Sequence, residues 1–294
     1  MGDGMSRGCI SCARLGGAAL KVLAATIWVL LAAVNHAAAQ GATPAPSKPA
    51  AKPEIMMGCL GLIAMRPQPA LRLAALKADE VRISYIGHST FLIESPQRVR
   101  IATDYNDYVR PPVLPDIATM NHAHETHYTL NPDPRIKYVL HGWADNEKPA
   151  RIDLQVNDVR VRNVPTNIRT FDGGTERHGN SIFIFEIANL CIAHLGHLHH
   201  TLTQQQLNEI GKIDIVLVPV DGSYTLDLEG MVEVLHALKA PLMIPMHYFS
   251  SYTLNNFLDR VRKEWDVEIS PVPTVVVSRT TLPAKPKVLV LPGH

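Results

Sequence analysis

Three histidines, His122, His124 and His127, fall within six residues, directly after the apolar run Ile117-Ala118-Thr119-Met120. That run reads as the end of a strand. Neutral imidazole is the commonest protein metal ligand, and a His-x-His pair at a strand end can aim two rings at one point. A polar loop that happens to be rich in histidine is the plainer reading, and for a single histidine it would be the better one. This chain carries 14 histidines, several of them after apolar runs further on. The stretch Asn121–Tyr128 is therefore expected to belong to a metal site.

A chain of 294 residues with 46% hydrophobic content can build the core of one large domain or two small ones. Lys and Arg total 28 against 27 acids, so overall charge points to neither nucleic acid nor an anionic membrane. A small-molecule substrate is the expected partner, and oligomeric state is not legible. Residues 1–39 have the order of a secretory signal peptide. Arg7, Arg14 and Lys21 precede an apolar run from Val22 to Val34, and Ala37-Ala38-Ala39 offers the cleavage site. The run is short for a membrane span, which needs roughly 20 residues, so a membrane enters only if the segment stays uncleaved. The expectation is a bacterial protein, periplasmic or secreted. Cys9 and Cys12 lie inside that segment, and Cys59 and Cys191 alone make no disulfide framework. No apolar run stands before Met57-Gly58-Cys59, so it is not read as a lipoprotein site.

Residues 40–79 read as a Pro/Ala-rich tether and lead-in, in which 55–76 is apolar but broken by Pro67 and Pro69. From residue 80 to 294 the pattern is that of one α/β domain. Val81-Ile83-Tyr85 alternates, and Thr90–Ile93, Val99–Ile101, 136–140, 159–164, Ser181–Ile187 and Leu190–His194 read as strands. Thr203 with Gln206 forms a capping box for a helix through Ile210. Leu228, Met231, Val232, Leu235 and Leu238 have helical spacing behind Asp227, and Leu254, Phe257, Leu258 and Val261 repeat it. Ile213–Val218 and Leu242–Met246 are buried-strand candidates between those helices. Three apolar strands end in reactive residues: His194, Asp221 after Pro219-Val220, and His247. Rigid strands that open into loops at one edge are where layered α/β proteins gather their sites.

From Val81 onward the chain resembles the metallo-β-lactamase-fold hydrolases, in the bacterial branch that includes lactonase-like and phosphodiesterase-like enzymes. The matching pieces are Tyr85–Glu94, Ile101–Asp104, the His-x-His stretch, His194-Leu195-Gly196-His197, Pro219–Thr225 and Ile244–Tyr248. The resemblance implies a four-layer αββα sandwich with one or two metal ions, usually zinc though other divalent ions are open, at one edge. Carried over by position, it implies that His122, His124 and His194 hold a first ion and that His127 and His247 belong to a second. It further implies that Asp104 orders the motif loop. Two positions depart from the family pattern. Thr126 stands where the family has Asp, and His197 stands where Asp bridges the two ions. A hydroxyl is a poor ligand and no base near neutral pH, and a neutral imidazole has a single lone pair.

Three readings stay open. The first is a mononuclear zinc hydrolase of an ester, lactone or phosphodiester bond, with a metal-activated water as nucleophile and Glu125, Asp221 or a second-site histidine such as His247 taking the proton. The second is a histidine-rich dinuclear site in which His127, His197 and His247 hold the second ion. The third is a fold that keeps metal or ligand binding, storage or delivery without hydrolysis. His88 reads either as a site residue or as a turn histidine. Tyr224 and Tyr248 are candidates for lining the pocket, with Tyr105 and Asn106 next. Asp172-Gly173-Gly174-Thr175 reads as a turn, and Arg160, Arg162 and Arg169 as solvated strand residues.

Overall fold

The computed structural model describes residues 75–121 and 124–293. The signal-peptide reading, almost all of the tether and lead-in, and His122 lie outside those residues. Among the described residues no helix is long and apolar enough to cross a membrane.

The first half of the described chain is built of strands: β1 (Glu80–Gly87), β2 (Thr90–Glu94), β3 (Arg100–Ala102), β4 (Ile117–Met120), β5 (Tyr138–His141), β6 (Asp153–Val156), β7 (Val159–Arg169), β8 (Thr175–Ile187) and β9 (Leu190–His194). Helices then alternate with strands: α1 (Gln204–Ile210), β10 (Ile215–Pro219), α2 (Leu228–Leu238), β11 (Leu242–Met246) and α3 (Ser251–Val261). The chain closes with β12 (Asp266–Ile269), β13 (Thr274–Ser278) and β14 (Lys287–Val290). These form a six-stranded sheet, β13-β1-β2-β3-β4-β5, and an eight-stranded sheet, β12-β14-β11-β10-β9-β8-β7-β6.

Strand alternation decides what lies between the layers. Phe183, Phe185 and Ile187 of β8 face the first sheet and pack with Ile83, Tyr85, Phe91 and Ile101. Ile182 and Ile184, one residue out of phase, face the helices and pack with Ile210, Met231, Leu235, Phe257 and Val261. Every second residue thus enters a different core. Burying one such phenylalanine contributes roughly 1.5–3 kcal/mol.

The two stacked sheets and an outer helical layer are what the resemblance implies. All three described helices serve the eight-stranded sheet. On the outer face of the six-stranded sheet the described residues hold no helix. A small cluster of Ala102, Tyr105, Ala118, Met120 and Ile136 is closed there by loop residues such as Tyr128 and Trp143. Pro132 and Pro134 interrupt the segment after the histidine stretch, and proline both lacks an N–H and bars helix from the residue before it.

The helix ends follow their sequence signals. Thr203 and Gln206 form the reciprocal capping box of α1, and Asp227 accepts from the Gly230 N–H at α2. Helix α3 begins at Ser251, earlier than its apolar spacing suggests, because Ser250 caps it by accepting from Thr253 N–H. Strand β8 starts at Thr175 rather than Ser181, and β7 runs to Arg169, so the pair forms a long hairpin closed by the turn at Asp172–Gly174. Strands β6, β12, β13 and β14 were not anticipated. Three of these four stand at sheet edges, and an edge strand such as β12, exposed along most of its length, shows little alternation.

Strands β3, β4 and β5 run parallel in one sheet, and β9, β10 and β11 in the other. Their C-terminal ends therefore open at one edge of the sandwich. Two ties fasten the sheets there. The backbone N–H of His247 donates to the carbonyl of His88 at 2.7 Å. Asn121 donates from Nδ2 to Asp104 Oδ1 at 2.9 Å, and its Oδ1 accepts the Ser181 N–H at 2.8 Å.

Candidate metal centre

At that edge His124, His127, His197 and His247 bring one ring nitrogen each to within 4.8 Å of one another. The loop after β4 supplies the first two, the loop after β9 the third, and the end of β11 the fourth. His88, Asp104 and His247 all have positive φ, at 52°, 41° and 56°. For residues with a Cβ this left-handed conformation costs roughly 1–2 kcal/mol apiece. All three lie where a strand ends and its chain turns into the site, which is where such strain is commonly kept.

The ring partners decide which nitrogens can bind a cation. Nδ1 of His127 lies 2.6 Å from Asp104 Oδ2, and both side chains are fully buried. Nδ1 of His247 lies 3.0 Å from Asp221 Oδ1, off the line of a straight hydrogen bond. With a carboxylate behind each Nδ1, both rings keep the proton there and present a lone pair at Nε2. Those two Nε2 atoms face each other at 3.2 Å. Two lone pairs turned together on fully buried rings repel unless a cation lies between them. Ligand nitrogens about 2.0–2.1 Å from a tetrahedral ion sit roughly 3.3 Å apart, close to this separation. The residues therefore fit a divalent ion. Burial pushes the Asp104 carboxyl up, and its contacts with His194, Asn121 and Ser89 work against that. With a cation in place, Asp104 and Asp221, one contact back, would supply the two negative charges that a divalent ion needs for balance.

His124 completes a set of three. Its Nδ1 is 2.8 Å from Thr126 Oγ1, and that hydroxyl is 3.0 Å from His88 Nε2. A hydroxyl can accept from His124 Nδ1–H and donate onward to His88, which leaves the His124 lone pair on Nε2. Thr126 thus orients a candidate ligand ring. His88 joins the site, with its ring 4.1 Å from that of His247. His197 Nε2 lies 3.0 Å from His124 Nε2, while His197 Nδ1 lies 2.5 Å from His199 Nε2. His199 Nδ1 in turn accepts the backbone N–H of Arg169 at 2.8 Å.

Burial, and then the mutual repulsion of the rings, holds His127 and His197 well below the ordinary imidazole range. Burial and His247 lower His124 as well. His88 is pushed down to about 3 and His199 to about 4, burial again being the largest cause. These five rings are neutral at pH 7, the state in which imidazole binds metal. Burial on its own would raise Asp221. Its contacts with His247, the Thr225 hydroxyl and the Ser223 N–H outweigh that and hold it far below the usual carboxylate range.

Several expected residues fall elsewhere. His194 does not join the group. Its Nε2 lies 2.8 Å from the Ser89 carbonyl, which can only accept, and its Nδ1 takes the Gly196 N–H at 3.2 Å. Both ring nitrogens are used, so the ring ties the end of β9 to the turn after β1 and has no lone pair for an ion. Glu125 is exposed and pairs with the Tyr108 hydroxyl. Asp221 stands behind His247, and its Oδ2 accepts the N–H groups of Ser223, Tyr224 and Thr225. It is an anchor rather than a proton acceptor facing the centre. His122 lies outside the described residues.

The pocket-lining expectations divide in the same way. Tyr224 stands at the mouth, its ring 5.5 Å from that of Phe249, which is 5.4 Å from the ring of His247. Tyr248 turns into the core beside Tyr85, its hydroxyl donating to Leu291 O at 3.3 Å. Tyr105 is buried in the outer cluster. Asn106 orders the motif loop, donating to the carbonyls of Asp104 and Thr126 at 2.9 Å each. Phe249, the roles of His199 and the Arg169 N–H, and the place of His88 were not resolved by sequence reasoning. Phe249 follows His247 by two residues, and that proximity was the signal available.

Residues 82–247 match the family model described as a beta-lactamase superfamily domain. The UPF0173 metal-dependent hydrolase of Nanoarchaeum equitans is 25% identical over 184 residues, 57% of this chain and 84% of that protein. The corresponding protein of Thermoplasma acidophilum is 24% identical over 191 residues, 58% and 84% of the two chains. Among solved structures, a Thermotoga maritima protein assigned to the Zn-dependent hydrolases of the metallo-beta-lactamase superfamily superposes with a TM-score of 0.54 at 29% identity. It covers 73% of this chain and 100% of its own. A metallo hydrolase from Ignicoccus hospitalis shares the fold, with a TM-score of 0.50 at 21% identity over 68% of this chain and 99% of that one.

Proposed function

Because the chain belongs to the beta-lactamase superfamily, as a metal-dependent hydrolase of the metallo-β-lactamase fold, we propose that His124, His127 and His247 hold its metal, a single zinc ion, and that it cleaves an ester, lactone or phosphodiester bond. The observation that carries this reading is the opposed pair of Nε2 lone pairs on His127 and His247, 3.2 Å apart with a carboxylate behind each ring. A cation held there supplies Lewis-acid polarisation of the scissile bond and activates water for attack.

The chain's own residues do the rest. Asp104 and Asp221 orient two ligands, and Thr126 orients the third. Tyr224 and Phe249 offer an apolar rim that shields the centre and can pack against the organic part of a substrate. Among the described residues no carboxylate belongs to the group of facing ligand atoms, so proton handling there falls to neutral imidazoles. Residues 1–39, with their basic start, apolar run and Ala37–Ala39, support export of the enzyme to the periplasm or beyond.

The test is the purified chain, reconstituted with zinc, assayed against ester, lactone and phosphodiester chromogens with bound metal measured in parallel. Turnover that follows zinc content and disappears in His247→Ala is expected. Stable zinc binding with no turnover on any of the three classes would replace hydrolysis by metal or ligand binding.

A further inference from the structure

His197 offers a ring nitrogen to the group beside the three ligands, yet its partners put the proton on the opposite side from theirs. The chain of contacts starts at a group whose role is fixed. A backbone N–H only donates, so His199 Nδ1, 2.8 Å from Arg169 N, must hold a lone pair. A neutral imidazole with a lone pair at Nδ1 carries its proton at Nε2. That nitrogen lies 2.5 Å from His197 Nδ1. His197 Nδ1 is therefore the acceptor, and the His197 proton is on Nε2, which faces the centre and in the metal-free chain donates to His124 Nε2 at 3.0 Å. An ion that takes the His124 lone pair would free this N–H for a substrate oxygen. His127 and His247 have carboxylates at the corresponding place and present lone pairs instead. One residue type is thus used in two opposite senses, according to what stands behind each ring.

We propose that His197 is not a metal ligand but a hydrogen-bond donor aimed into the centre, which stabilises the negative charge that develops on a substrate oxygen, and that His199 is the positioning residue that fixes this tautomer. The proposal rests on the hydrolase reading above. An N–H beside the ion suits ester, lactone and phosphodiester substrates alike, because each reaction places charge on an oxygen. No proton changes hands in this role, and the donor keeps its hydrogen throughout. The N-terminal side of His197 is rigid enough for the task. Its own N–H donates to Asn180 Oδ1 at 2.9 Å, and the preceding Gly196 has φ +60°.

Two substitutions at His199 separate the senses. Glutamine can accept from Arg169 N–H and donate to His197 Nδ1, and so keeps the tautomer. Glutamate can only accept, which draws the His197 proton to Nδ1 and exposes a lone pair at Nε2. The tautomer is read by long-range ¹H–¹⁵N correlation spectra of the metal-free protein, and zinc content and affinity by mass spectrometry and titration. The expected results are an Nε2–H tautomer at His197 in the unmodified chain and in His199→Gln, and an Nδ1–H tautomer in His199→Glu. His199→Glu should also bind zinc more tightly and turn over about 10²-fold more slowly. His197→Ala should keep one zinc per chain while losing about 10²–10³ in turnover. An Nδ1–H tautomer in the unmodified metal-free chain, or loss of zinc in His197→Ala, overturns the proposal. Because the tautomer is read without metal or substrate, that result is distinct from failure of the hydrolase reading, which would show as absent turnover in the zinc-loaded unmodified chain.

Discussion

Nε2 of His127 and Nε2 of His247 face each other 3.2 Å apart, although 120 residues separate them in the chain. Each ring is fixed from behind, by Asp104 and by Asp221, and neither can turn its proton inward without giving up its contact with a buried carboxylate oxygen. The pair has the geometry of a cation site, held open by its own supports.

Removing either ring should remove the ion. His127→Ala and His247→Ala are expected to drop zinc content from about one per chain to near zero. A chelator-sensitive gain in Tm, seen in the unmodified chain, should vanish in both. With zinc at about 100 times its Kd that gain corresponds to about 2.7 kcal/mol. Elemental analysis and thermal melts with and without chelator check this.

The carboxylates act through the rings and should show an intermediate effect. Asp104→Asn and Asp221→Asn are expected to weaken zinc binding by roughly 10–100-fold while the fold persists. Asparagine tolerates the positive φ of 41° at Asp104, so a loss there reports the charge and hydrogen bond rather than the backbone. Competitive chelator titrations measure it.

His194 separates a ligand from a structural histidine. His194→Ala leaves the buried Gly196 N–H without its partner, takes one of two donors from the Ser89 carbonyl, which keeps the Thr103 hydroxyl, and opens a cavity in a fully buried place. Unfolding free energy is expected to fall by about 2–4 kcal/mol, with zinc stoichiometry unchanged. Denaturant melts and metal analysis on the same sample give both readouts, and loss of zinc without loss of stability would return His194 to the ligand set.

Gly196 is required twice. It has φ +60°, and an added Cβ would overlap Asn180 Oδ1 and lie 2.5 Å from Asn121 Nδ2. Asn121 also joins the two sheets, so Gly196→Ala is expected to cost at least about 1–2 kcal/mol and to weaken zinc binding by displacing the loop. The unfolding midpoint and a zinc titration test it.

Acid should destabilise the metal-free protein through its neutral rings. His88 and His199 have their values lowered from 6.5 to about 3 and about 4 by burial first, then by neighbouring charge. Between about pH 6.5 and pH 4 the unfolded chain binds protons that the folded chain refuses. Stability is therefore greatest above about 6.5 and declines as pH falls through that window, by up to about 1.4 kcal/mol per pH unit for each such ring. Urea melts of the metal-free chain from pH 7 to 4 give the slope, and a flat profile would mean that the rings are not buried neutral.

Much of the frame was legible because its signals are local. The capping box at Thr203 and Gln206, the Asp227 cap, and the apolar runs of β4, β9, β10 and β11 each depend on residues within a few positions of one another. The histidine stretch after β4 was enough to announce a metal. Edge strands and the loop-covered face of the first sheet were not, since half-exposed strands lose their alternation and the two prolines after Tyr128 act only on the backbone that holds them.

The site itself divides along the same line. Sequence alone determined that imidazoles from several strand ends would meet at one edge, and that Thr126 and His197 stand where carboxylates would. Only the tertiary structure decided which rings can bind. His194 and His197 sit two residues from the same Gly-containing turn or within it, and no local rule tells them apart. The difference lies in one distant partner for each ring: the Ser89 carbonyl, with the nearby Gly196 N–H, consumes both nitrogens of His194, while the Arg169 N–H acts through the neighbouring His199 on His197. An imidazole's proton goes to whichever nitrogen faces an acceptor, and that acceptor exists only once the sheets have been stacked.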